Sequence, residues 1–183
     1  MRPDSLSTLA RELYLGEWES DEAQAKQAIT DYNWVKENIV YRLSNWGVPE
    51  QTLVQMSGAC GAKAELLGEL LELHGINVRY VEGRPLPKIL PITRIAALDF
   101  HFWIEARIGG KWLTLDPTPD SGIEHFLGET SPGTHLVKPK YVGRWNKIPD
   151  WPKKCFNHPL IIPVRFISDL KLTYYRRQRH STP

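Results

Sequence analysis

The chain has 183 residues and a formal net charge of +2, with 42% hydrophobic and 24% charged residues. These are the proportions of a globular protein large enough to bury a core, and they exclude a disordered chain and a bulk field for nucleic acid or a membrane surface, so neither is expected as a partner. Two cysteines, Cys60 and Cys155, give no disulfide framework, and the opening Met-Arg-Pro-Asp-Ser-Leu has no apolar signal core. A single cytoplasmic domain over residues 1–183 is therefore expected.

Residues 5–15 read as a short amphipathic helix closed by Gly16. Ser20 then has the character of an N-cap, with Asp21 and Glu22 in the first turn where negative charge is favoured. Ala28, Tyr32, Val35 and Ile39 trace one face of a helix running to about Tyr41. Residues 42–57, with Asn45, Gly47 and Pro49, read as a loop interrupted by a helical turn around residues 50–54.

The next stretch, Gly58-Ala59-Cys60-Gly61-Ala62-Lys63-Ala64, opens a strongly apolar helix in which Ala62, Leu66, Leu70 and Leu73 recur at helical spacing. Cys60 stands at its mouth, where unpaired N–H groups and the positive dipole end favour thiolate over thiol. Gly58 and Gly61, having no Cβ, are expected to leave the sulfur open to a substrate. An acyl transfer at this thiol needs donors for the developing oxyanion, and the Cys60 N–H with the Gln55 side chain would supply them. His74-Gly75 closes the helix, residues 76–81 form a strand, and Gly83 makes a turn. Residues 84–98, carrying Pro85, Pro87 and Pro91, then form a loop that would wall or cover a substrate groove.

Strict alternation on either side of Gly109-Gly110 predicts a β-hairpin. With a two-residue turn, Ile108 faces Lys111, Ala106 faces Leu113, Ile104 faces Leu115, and Trp103 faces Asp116. Phe100, Phe102, Ile104, Ala106, Leu113 and Leu115 then share an apolar face, and His101, Trp103, Glu105, Thr114 and Asp116 the other. His101 and Asp116 become diagonal neighbours, with Cβ atoms roughly 7 Å apart. Trp103 and Trp112, near that histidine, are candidates to line a groove and exclude water.

Beyond residue 118 the signals weaken. His125, His135 and His158 lack metal-ligand spacing, and no metal or cofactor is expected. Trp145 and Trp151 read as packing anchors of an irregular segment, residues 159–172 as an edge strand or core cover, and the basic cluster at Arg176, Arg177 and Arg179 as a solvated end.

The ordered set Gly-Ala-Cys-Gly-Ala-Lys-Ala, Gly75-Ile76-Asn77-Val78-Arg79, His101-Phe102-Trp103-Ile104-Glu105 and Trp112-Leu113-Thr114-Leu115-Asp116-Pro117-Thr118 resembles the transglutaminase-like superfamily over about residues 30–120. The resemblance implies an α+β, papain-like fold, with a nucleophile-bearing helix packed on an antiparallel sheet. It also implies a Cys60–His101–Asp116 triad performing acyl transfer on a peptide or protein amide, glutamine-like or peptide, with an amine as acceptor. A peptidase or amidase using the same triad is the alternative, and a non-catalytic interaction domain a further one. In the family an acidic residue often follows the cysteine, where this chain has Gly61-Ala62-Lys63.

Overall fold

The elements of this chain follow from where its apolar periodicity is helical and where it alternates. In the computed structural model, residues 3, 5–43, 45–85, 101–118, 137–145 and 170 are described, with the backbone alone for 84, 85 and 137–145. Helix α1, Leu6–Leu13, is capped by Ser5, whose hydroxyl accepts from the Thr8 N–H. Helix α2, Asp21–Asn38, is capped in the same way by Ser20.

Helix α2 stops three residues short of the expected Tyr41. Val40–Tyr41 is instead a short strand, β1, paired in parallel with Ser57–Gly58, β2. Between them lies helix α3, Pro49–Gln55, one residue longer at each end than anticipated, with proline in its first turn where a missing N–H costs nothing. It ends at Met56 in the left-handed region, φ +48°, an uncommon conformation for a residue with a side chain.

Helix α4, Cys60–Leu73, begins directly at the cysteine. Its Leu66, Leu67, Leu70 and Leu71 are fully buried, each stabilising the fold by about 2 kcal/mol relative to exposure. They share one core with Tyr80, Phe102, Ile104, Ala106 and Leu115, so α4 lies on the predicted apolar face of the sheet.

The sheet contains β3, Val78–Pro85, β4, His101–Ile108, β5, Lys111–Leu115, and β6, Val137–Trp145, in the order β5-β4-β3-β6. Strand pairing within it is antiparallel throughout. The β4–β5 register is the one parity predicted, with Ile108 opposite Lys111 and Ile104 opposite Leu115. Gly109 and Gly110 both have positive φ, +55° and +77°, which is what a two-residue turn matching strand twist requires.

Two expectations need correction. β3 does not turn at Gly83 but runs on to Pro85, with a register shift between Glu82 and Arg84 against β6. Trp145 belongs to a regular strand rather than an irregular segment. Apart from these corrections, all residues from His101 to Ala106 are buried, so both faces of this part of β4 are covered.

The proline-rich groove segment at 86–98, Phe100, Trp151, Cys155 and the basic terminal cluster lie outside the described residues. Of the expected edge strand at 159–172 Leu170 is described, and it is helical and exposed.

Candidate active site

Three residues at element ends converge. Cys60 is the first residue of α4, His101 the first of β4, and Asp116 directly follows β5. His101 Nε2 lies 2.6 Å from Asp116 Oδ2, and the imidazole also hydrogen-bonds the Cys60 thiol. With Nε2 committed to the carboxylate, Nδ1 is the nitrogen left for sulfur. Asp116 is fixed in turn by the Thr118 backbone N–H, which donates to Oδ1 at 3.0 Å.

All three are buried, Cys60 to 4% and His101 to 6% exposure, and Asp116 fully. Burial by itself would lower the His101 pKa, but the Asp116 charge and hydrogen bond, with the contribution of Cys60, outweigh it and push the value up to about 10. Burial would likewise raise the Asp116 carboxyl, but the His101 charge and hydrogen bond and the Thr118 N–H hold it below the usual carboxylate range. The pair therefore rests as carboxylate and imidazolium at neutral pH.

The entry to α4 is bolted from several sides. The Val40 N–H donates to Met56 O and the Arg42 N–H to Gly58 O, which closes the β1–β2 ladder. Asn45 O accepts from the Ala59 N–H at 2.6 Å, while Asn45 Nδ2 donates to the Ser57 carbonyl and hydroxyl. From one turn inside α4, the fully buried Lys63 donates through Nζ to Ile39 O at 2.6 Å. That carbonyl lies at the negative end of α2, the place where a buried ammonium is best tolerated. The N-cap of α4 is Ala59, which has no side-chain acceptor, so the dipole end at Cys60 is not quenched by a cap.

Gly58 and Gly61 do not leave the sulfur open; they admit close packing. A Cβ on Gly61 would stand 2.5 Å from Trp46 Cζ3, and one on Gly58 would stand 3.0 Å from both Ala62 Cβ and Thr52 Cγ2. Trp46 is held by its own N–H, which donates to Leu43 O at 3.1 Å, and its ring meets Phe102 edge-on. Sequence reasoning gives Trp46, Asn45, Lys63 and Thr118 no role at the site. Only the Asn-Trp-Gly turn shortly before the cysteine offered a signal.

The remaining candidates are placed differently. Gln55 is exposed, and its carboxamide oxygen accepts from Asn45 Nδ2 at 2.6 Å; among the described residues nothing joins it to Cys60. Trp103 is buried, 7% exposed, and stacks on the His101 ring rather than facing an open groove. Trp112, at 39%, is exposed farther along the hairpin with the Arg79 guanidinium 3.9 Å above its ring. Arg79 is itself paired with Glu105 at 2.5 Å. Among the described residues no group of three His, Cys, Asp or Glu side chains is arranged to hold a metal ion, and no helix is long and apolar enough to cross a membrane.

Comparison with known proteins gives the fold and the family. Among solved structures, a protein of Cytophaga hutchinsonii described as a candidate cysteine protease matches with a TM-score of 0.52 and 21% identity. The match covers 83% of this chain and 46% of that one, so this chain spans less than half the length of that protein. At this identity the likeness shows a shared fold. None of the curated proteins compared matches the chain. A family model described as the transglutaminase-like superfamily matches residues 8–117, more than half of the chain and the whole stretch that carries Cys60, His101 and Asp116, and the chain belongs to that superfamily.

Proposed function

We propose that the chain is a cysteine-dependent acyltransferase acting on amides through an acyl-thioester. The observation that carries this reading is the placement of one imidazole between a carboxylate and a thiol at a helix N-terminus. In this mechanism the Cys60 thiolate attacks a carboxamide carbon and forms a C–S bond. His101 gives its proton to the departing nitrogen as the C–N bond breaks, and Asp116 keeps the imidazole in the required tautomer and orientation. An amine then attacks the thioester, the C–S bond breaks, and the thiol is regenerated. The Cys60 N–H and the uncapped first turn of α4 supply donors for the oxyanion. Gln55 is left out of that role because its side chain is exposed and, among the described residues, nothing joins it to Cys60.

Transfer to an amine is favoured by burial of the site, which limits the water that can compete for the thioester. Hydrolysis by the same residues, as a peptidase or amidase, is the second reading, favoured by the description of the Cytophaga hutchinsonii neighbour.

A glutamine-containing dipeptide incubated with a fluorescent primary amine tests both. Amine incorporation that disappears in Cys60→Ser and His101→Ala supports transfer. Release of ammonia or free peptide without incorporation selects hydrolysis. Failure of both, together with iodoacetamide labelling of Cys60 no faster than that of Cys155, rejects the enzyme and brings forward an interaction domain.

A further inference from the structure

The site contains a buried polar group that the mechanism does not use. Trp103 is two residues from His101 on the same strand face, and its ring stacks on the imidazole with centroids 5.8 Å apart and planes inclined by 25°. Its indole N–H is buried and, among the described residues, has no hydrogen-bond partner. An orphaned buried donor costs stability, and a phenylalanine would fill an aromatic slot without that cost. The choice of indole therefore calls for a property that phenyl supplies less well. Its π face is that property, being the strongest of the natural aromatic side chains toward a cation.

The surroundings of His101 define where that property acts. Asp116 engages one ring nitrogen from the end of β5, and Cys60 engages the imidazole from α4. Across the sheet the residue opposite is Gly83, which offers no side chain. Among the described residues these are the groups that meet the ring edge, and Trp103 covers a face.

We propose that Trp103 is a positioning residue for His101, its indole face holding the buried imidazole in its charged form and in the plane that serves both Asp116 and Cys60. This rests on the enzymatic reading of the site only for its purpose; the stacking itself can be measured independently. Under this assignment Trp103 binds no substrate, and the unpaired N–H accompanies the stronger π face.

The test is a titration of the His101 ring protons by NMR in the full chain, compared with Trp103→Leu and Trp103→Phe. Loss of the π face in the leucine variant is expected to lower the proton affinity of His101 about tenfold. The phenylalanine variant keeps a weaker face and is expected to lose about threefold. A folded Trp103→Leu protein whose His101 titrates as in the parent overturns the proposal. If that variant does not fold, Trp103→Phe decides alone, and an unchanged titration there overturns it equally. Iodoacetamide labelling of Cys60 in the same samples separates the two readings. A His101 titration that responds to Trp103, beside a Cys60 that reacts like a free thiol, supports the stacking role and rejects the enzyme.

Discussion

His101 Nε2 and Asp116 Oδ2 lie 2.6 Å apart with both side chains buried, so the stability of the fold is tied to the charge state of this pair. His101 is raised from 6.5 to about 10, and its contribution is complete below pH 6.5 and lost as pH rises through 10. Asp116 is lowered from 3.8, and its contribution is present above pH 3.8 and lost as pH falls through the depressed value. The two overlap fully between these limits. Urea unfolding should therefore show stability declining from pH 6.5 toward 10, and a His101→Gln, Asp116→Asn double variant should flatten that limb. His101→Ala by itself should cost about 3 kcal/mol at pH 6, because it leaves the carboxylate buried without its partner. An undiminished slope in the double variant would show that other groups govern the alkaline limb.

Gly61 and Trp46 form a second testable pair. The Cβ of Gly61→Ala would meet a rigid ring held by its own hydrogen bond to Leu43 O, so the substitution is expected to destabilise by about 1–3 kcal/mol and to slow Cys60 labelling. Trp46→Ala makes room, and in that background the added methyl should cost far less. A double-mutant cycle reads this coupling directly; strictly additive costs would mean that the ring moves aside freely.

Trp112 separates access from chemistry. It is exposed, held by Arg79, and lies on the hairpin face that also carries Asp116. If it contacts substrate, Trp112→Ala should raise KM several-fold for a glutamine peptide while leaving iodoacetamide labelling of Cys60 unchanged, since the small reagent needs no docking surface. A fall in labelling would instead mean that the substitution disturbs the hairpin and His101 with it.

What could be read from the sequence was what local rules determine. Hairpin register followed from two glycines and a period of two, which brought Asp116 beside His101 without any knowledge of the sheet. The two-residue ladder between Val40–Tyr41 and Ser57–Gly58 is too short to produce a period, so α2 was carried through it. Strand β6 contains Pro139 and Gly143, which argue against a central strand, yet it lies at an end of the described sheet order, where proline is tolerated. The expectation that Gly61 opens the sulfur to a substrate fails for a different reason. A glycine beside a nucleophile looks the same in sequence whether it opens a path or receives a ring, and the close approach across sequence decides it.

A second buried His–Asp pair stands at the far end of α4 and shows how much of such geometry is structural. His74 Nδ1 lies 2.8 Å from Asp31 Oδ2, and Nε2 donates to Ala10 O at 2.8 Å. Gln27 donates to Asp31 Oδ1, and Tyr14 stacks on the imidazole. Burial raises the Asp31 carboxyl above its ordinary value, only partly offset by the hydrogen bond and charge of His74 and the hydrogen bond of Gln27. His74→Ala should therefore cost about 3 kcal/mol by leaving Asp31 without its main partner and releasing α1 from α4. Because 14 residues of helix place it on the order of 20 Å from the thiol, labelling of Cys60 at pH 7 should stay within about twofold of the parent. A buried His–Asp pair thus stands at each end of α4, and what distinguishes the ends is the thiol beside His101. A His74→Ala protein in which Cys60 labelling slows markedly while the chain still folds would show instead that the α1 contact sets the position of the turn at Cys60 through the length of the helix.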